Sequence, residues 1–108
     1  MYNIERLPQS LDIGFTGEKD FRKIEIDMSA WAELIPQGVP KIYNIAPSAS
    51  SINYSSFTYI DNILVWNISE ADLGTYEGIG LCQFELSDGE KKARSPIVRT
   101  NVHLGLTR

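Results

Sequence analysis

The groups that could move a proton, hold a metal or attack a substrate are few in these 108 residues: one histidine, His103, and one cysteine, Cys82. His103 falls on the polar face of the last apolar alternation, where an imidazole is expected to be solvated rather than to act as a base. Cys82 falls on a face expected to be buried, where a thiol behaves as a small apolar side chain. These two residues cannot make a zinc set without carboxylates from distant segments. Asp12, Asp20, Asp27 and Asp72 are scattered, without calcium-loop spacing. Gly78-Ile79-Gly80 lacks a third glycine and sits inside a strand rather than before a helix, so it is no dinucleotide loop. The residue types predict no enzyme, no metal site and no cofactor. The aromatic residues Trp31, Tyr43, Tyr54 and Tyr59 are of the type that stacks on sugar rings, so a carbohydrate-binding or adhesin-like module is the alternative reading.

Composition bounds the chain further. Hydrophobic residues make up 43% and charged residues 22%, ordinary globular values, and the length suits a single domain over residues 1–108. A net charge of −4 gives no basic footprint for nucleic acid. The longest apolar runs are far below the roughly 20 residues that span a bilayer, and Met1-Tyr2-Asn3-Ile4-Glu5-Arg6 does not read as a secretory leader, so no membrane is predicted. With one cysteine, no intramolecular disulfide is possible, and packing must hold the core.

The elements that position these residues read as strands. Leu11–Thr16 alternates and leads into a turn, and Phe21–Met28 places Ile24, Ile26 and Met28 opposite Lys23, Glu25 and Asp27. Residues 29–35 read as one short helical turn, with Ser29 as its cap, Pro36 and Gly38 ending it, and Trp31, Leu34 and Ile35 closing one end of the core. Lys41–Ile45, held between Pro40 and Pro47, reads as an edge strand, and Pro47–Ser51 as a loop and candidate contact surface. Ile52–Ile60 and Ile63–Ile68 read as a hairpin turned by Asp61-Asn62. After Thr75 the alternation is unclean. Tyr76, Gly78, Gly80, Cys82, Phe84 and Leu86 project one way, yet Ile79 and Leu81 stand on the outward set. That implies either a bulge near Gly80 or an outer face covered by a partner. Ser87-Asp88-Gly89-Glu90 turns the chain, and Ser95–Leu104 closes the fold.

The most distinctive stretch is Leu64–Phe84. A strand carrying Trp66 is followed by Asp72-Leu73-Gly74-Thr75-Tyr76 and a second long strand, an order that resembles the tyrosine corner of immunoglobulin-like sandwiches. In that reading Asp72 accepts backbone donors just before Gly74, and Trp66 plugs the core beside Tyr76. The second residue after the tyrosine, a half-disulfide in antibody domains, is here Gly78. The expected fold is an all-β, immunoglobulin-like antiparallel sandwich of about seven or eight strands.

Tyr59–Ile68, Ala71-Asp72, Gly78-Ile79-Gly80, Leu86-Ser87-Asp88-Gly89 and Arg94-Ser95-Pro96-Ile97 together resemble small sandwich domains of bacteriophage tail and baseplate proteins, including the N-terminal domain of baseplate upper proteins. The resemblance covers roughly half of the chain. It implies a non-enzymatic phage or prophage structural protein of the virion, assembled in the bacterial cytoplasm. Its implied partners are other phage structural proteins and further copies of itself, met through strand edges and the Ile79/Leu81 face.

Overall fold

The computed structural model describes residues 1–106. Ten strands are found among them: β1 (Tyr2–Asn3), β2 (Ser10–Phe15), β3 (Lys23–Asp27), β4 (Val39–Ile45), β5 (Asn53–Tyr54), β6 (Phe57–Ile60), β7 (Ile63–Asn67), β8 (Gly78–Ser87), β9 (Lys92–Arg94) and β10 (Val98–His103). Two short helices, α1 (Ser29–Ala32) and α2 (Glu70–Leu73), and a 3-10 turn at Ile4–Arg6 complete the secondary structure. None of the helices is long and apolar enough to cross a membrane.

The strands form two sheets. The first runs β1-β3-β7-β6 and the second β2-β10-β8-β4-β5, with β9 beside the far end of β8. With β3, β7 and β6 in one layer and β10, β8 and β4 in the other, this is the strand order of an immunoglobulin-like sandwich. The all-β expectation holds. The ladders are antiparallel as expected except at the N-terminal strands, where β1 pairs parallel to β3 and β2 parallel to β10. The N-terminal segment splits between the two sheets, and the strands beyond the seven or eight expected are the two-residue β1 and β5.

Period-two alternation explains why the layers pack. Ile24 and Ile26 of β3, Leu64 and Trp66 of β7, Ile42 of β4, Cys82, Phe84 and Leu86 of β8, and Val98 and Val102 of β10 fill the shared core. Trp66 meets Phe84 edge-on, with ring centroids 5.9 Å apart. Trp31 and Ile35 close one end as expected, but Leu34 points to solvent. Ser29 is the first residue of α1 rather than its cap. Met28 is the N-cap and makes no side-chain cap bond, while Asp27 before it accepts from the Ser29 N–H at 2.9 Å and from its hydroxyl at 2.6 Å. β4 is less of an edge than expected, since β8 covers its whole length and β5 pairs with Tyr43 and Asn44.

The Ile52–Ile60 segment is not one hairpin arm. It crosses from the second sheet to the first between Tyr54 and Phe57, because Ser55 is drawn inward: its N–H donates to Ile42 O at 3.0 Å and its hydroxyl to the Asp72 carboxylate. The β6–β7 turn is as read, with Asp61 and Asn62 both at positive φ (53° and 65°), the geometry of a type I′ hairpin.

Candidate functional site: the outer face of the second sheet

Ile79 and Leu81 lie on β8, whose register with β10 runs unbroken from Cys82 opposite Val98 to Gly78 opposite Val102. No bulge interrupts β8 near Gly80, so the two side chains stand on the outer face, 59% and 39% exposed. Gly80 explains why the inward set is thin there. A Cβ on it would sit 2.4 Å from Ile45 O and 2.6 Å from Thr100 Oγ1, so neighbouring strands close over the missing side chain.

Four residues that the sequence reading did not assign to this surface join it. Ile45 is opposite Leu81 on β4, and Ile52, Gln83 and Ile97 help line a shallow depression of about 230 Å³ with Tyr43 and Leu81. Ile52 and Ile97 are 53% and 63% exposed. The signal for Ile45 was present: with Ile42 and Asn44 buried, alternation places Tyr43 and Ile45 on the other side. Ile97 reaches the surface because the chain breaks between β9 and β10. The Phe84 N–H donates to the Ser95 hydroxyl at 3.0 Å, and Ser95 N–H to Phe84 O at 2.9 Å, so Ser95 bridges the break before Pro96.

The apolar centre has a charged border. Glu85 faces outward on β8 yet is buried, because Arg94 lies over it at 2.9 Å, the Tyr43 hydroxyl donates to it at 3.0 Å and Lys92 stands at 3.9 Å. Burial pushes the Glu85 carboxyl up, but the bonds from Arg94 and Tyr43 and the positive charges of Lys92 and Arg94 outweigh it and hold the group below the ordinary glutamate range. Arg94 also lies over the Tyr43 ring, 5.7 Å from its centroid.

The four aromatic residues considered for sugar stacking do not assemble. Tyr43 and Tyr54 are opposite one another on this face, with centroids 5.4 Å apart. Trp31 is in the core, beneath a cleft of about 800 Å³ also lined by Ile4, Pro96 and Arg99. Tyr59 belongs to β6 in the other sheet and packs half-buried against the core. Burial raises the phenol pKa of Tyr59.

The corner is built differently from the expected one. Tyr76 projects outward, 60% exposed, and Trp66 packs against Phe84 instead. The buried carboxylate of Asp72 takes the tyrosine's place. It accepts from Trp66 Nε1 at 3.1 Å, Asn53 Nδ2 at 2.8 Å, the Ser69 N–H at 2.9 Å, the Ser69 hydroxyl at 3.1 Å and the Ser55 hydroxyl. Its main-chain carbonyl accepts from Asn44 Nδ2 at 3.1 Å. Asp72 therefore ties both sheets and their crossover together. The reading that it accepts backbone donors before Gly74 is correct but incomplete. The missed signal is Ser69-x-x-Asp72, a capping box that starts α2, whose last turn Gly74 ends at φ 71°.

His103 is not a freely solvated imidazole, since its Nε2 lies 2.8 Å from Asp12 Oδ2 and its ring 5.1 Å from that of Phe15. Cys82 is buried, and burial pushes its thiol up to about 12, which keeps it protonated and unreactive at neutral pH. Among the described residues, no group of three or more His, Cys, Asp or Glu side chains could hold a metal. Compared with known proteins, the chain matches no protein-family model, and no curated protein matches it.

Proposed function

We propose that this chain is a non-enzymatic structural protein of a phage or prophage, a module that docks into a tail or baseplate through the outer face of its second sheet. The observation that carries the reading is the exposed aliphatic group Ile52, Ile79, Leu81 and Ile97, with half-buried Ile45 among them, on one sheet face. Surface aliphatics scattered singly need no explanation, but a contiguous group bordered by paired charges is the pattern of an interface centre and rim. The sequence resemblance supplies the phage assignment. The occupant is another subunit of the same assembly, and symmetric tail parts make further copies of this chain part of it.

Light scattering over a range of concentrations tests this. The wild-type chain is expected to form a closed oligomer of about three or six copies, and Leu81→Glu to reduce that mass while keeping the fold. A strict monomer at every concentration removes self-assembly through this face, and loss of folding in Leu81→Glu places Leu81 in the core.

The Tyr43–Tyr54 pair favours a second reading, carbohydrate binding on the same face. A glycan screen discriminates. Saturable binding lost in Tyr54→Ala supports it, and blank results remove it.

A further inference from the structure

The free edge of β6 presents a second surface, independent of the docking face. Asn67 N–H donates to Ser56 O at 3.0 Å, and the ladder continues with Phe57 opposite Trp66 and Ile60 opposite Ile63. Alternation in an antiparallel pair then turns the backbone groups of Ser56, Thr58 and Ile60 toward β7, and those of Phe57 and Tyr59 toward the open edge.

Exposed edges are normally blunted by charge, proline, a bulge or extreme shortness. The other edges of the described residues follow that rule. β1 and β5 have two residues each, and β9 carries Lys92 and Arg94. β2 presents Asp12 and a register shift against β10 at Asn101/Val102. The β6 edge is different: from Ile52 to Ile60 there is no charged residue and no proline, the register with β7 is unbroken, and Ile60 is 69% exposed.

We infer that β6 pairs antiparallel with β6 of a second copy about a two-fold axis through Thr58, joining the first sheets of two copies into one. The occupant is argued from self-complementarity. With Thr58 on the axis, Phe57 falls opposite Tyr59 of the second copy and Tyr59 opposite its Phe57. The residues whose backbone groups face outward then meet as hydrogen-bonded pairs. Both are aromatic pairs, and Thr58 meets Thr58, combinations that stabilise neighbouring strands. The electrostatics agree. Each copy carries a net charge of −4, yet the nearest charge in the sequence, Asp61, falls opposite Ser55 of the second copy. The two Asp61 residues are then roughly 20 Å apart along the strands, beyond the Debye length of about 8 Å at physiological salt. A four-residue edge buries less than the roughly 1,200 Å² of a standard interface, so the dimer dissociates on dilution.

Cross-linking tests the register. In Thr58→Cys the two thiols face each other at a separation a disulfide spans, whereas in Ile60→Cys each faces Ser56 of the other copy. Mild oxidation is expected to give a covalent Thr58→Cys dimer at least about tenfold faster than Ile60→Cys, and Cys82, being buried, does not compete. With the docking face disabled by Leu81→Glu, the edge is expected to leave a concentration-dependent dimer in light scattering, and adding Thr58→Lys, which sets two charges against each other on the axis, to abolish it. In a Leu81→Glu background the Thr58→Cys cross-link is expected to persist, so failure of the docking face and failure of the edge pairing are told apart. Equal rates for the two cysteine variants, a dimer that survives Thr58→Lys, or a cross-link lost with Leu81→Glu would each overturn the inference.

Discussion

Two regions of this sandwich break the inside–outside rule in opposite directions. At the corner after β7, a carboxylate stands in the interior. On the outer face of the second sheet, isoleucine and leucine stand in solvent. The corner answers its own irregularity. Asp72 is surrounded by donors from Trp66, Asn53, Ser55 and Ser69, so the cost of burying its polar side chain is offset within the chain. The sheet face has no such answer in its own chain. Its polar members, Glu85, Arg94 and Tyr43, bond to one another at the border, and Ile79, Leu81 and Ile97 are left uncovered. The difference separates a feature that holds the monomer together from one that the monomer does not use.

The largest effect is expected at the corner. Asp72→Ala leaves the indole N–H, the Asn53 amide and two serine hydroxyls without their acceptor, and should cost about 3–5 kcal/mol in urea unfolding. A loss below about 1 kcal/mol would show that the sheets are held without this carboxylate. Next comes Gly80→Ala, where the added methyl meets Ile45 O and Thr100 Oγ1 and should cost about 1–3 kcal/mol. A neutral result would mean that β4 and β10 can move apart over β8.

A smaller effect concerns the border. A carboxyl whose folded pKa is held below its unfolded value adds stability above the unfolded value, and that stability is lost as pH falls through the folded value. Glu85 is such a group, so its contribution should hold from pH 7 down to about pH 5 and be lost as urea midpoints fall below about pH 4.5, and Glu85→Gln should flatten that fall. An unchanged slope would show that the bonds from Arg94 and Tyr43 do not hold the charged form. The smallest effect is expected at Tyr76, where Tyr76→Phe should shift stability by no more than about 0.5 kcal/mol. A larger loss would restore the tyrosine-corner reading at the expense of Asp72.

Much of the architecture was legible because period two is a local property. Ile24, Ile26, Leu64, Trp66, Phe84 and Leu86 declare their buried faces within a few residues of sequence. The outward place of Ile79 and Leu81 was legible for the same reason. What was not legible depends on distant partners. The crossover at Ser55 requires Asp72 and Ile42, and the parallel pairings of β1 and β2 require strands far along the chain. The corner was misread because Asp-x-Gly-x-Tyr directs attention to the phenol, while Ser69-x-x-Asp72 three residues earlier carries the bond network. The stacking set failed because residue type does not say which sheet a tyrosine joins. Tyr43 and Tyr54 meet on one face, and Tyr59 turns inward on the other sheet.

The most direct test of the account is the urea unfolding free energy of Leu81→Glu at a concentration where the chain is monomeric. An uncovered face predicts a value within about 0.5 kcal/mol of wild type. A loss of 2 kcal/mol or more, the roughly expected cost at a buried leucine, would place Leu81 in the monomer's own core and contradict the docking face.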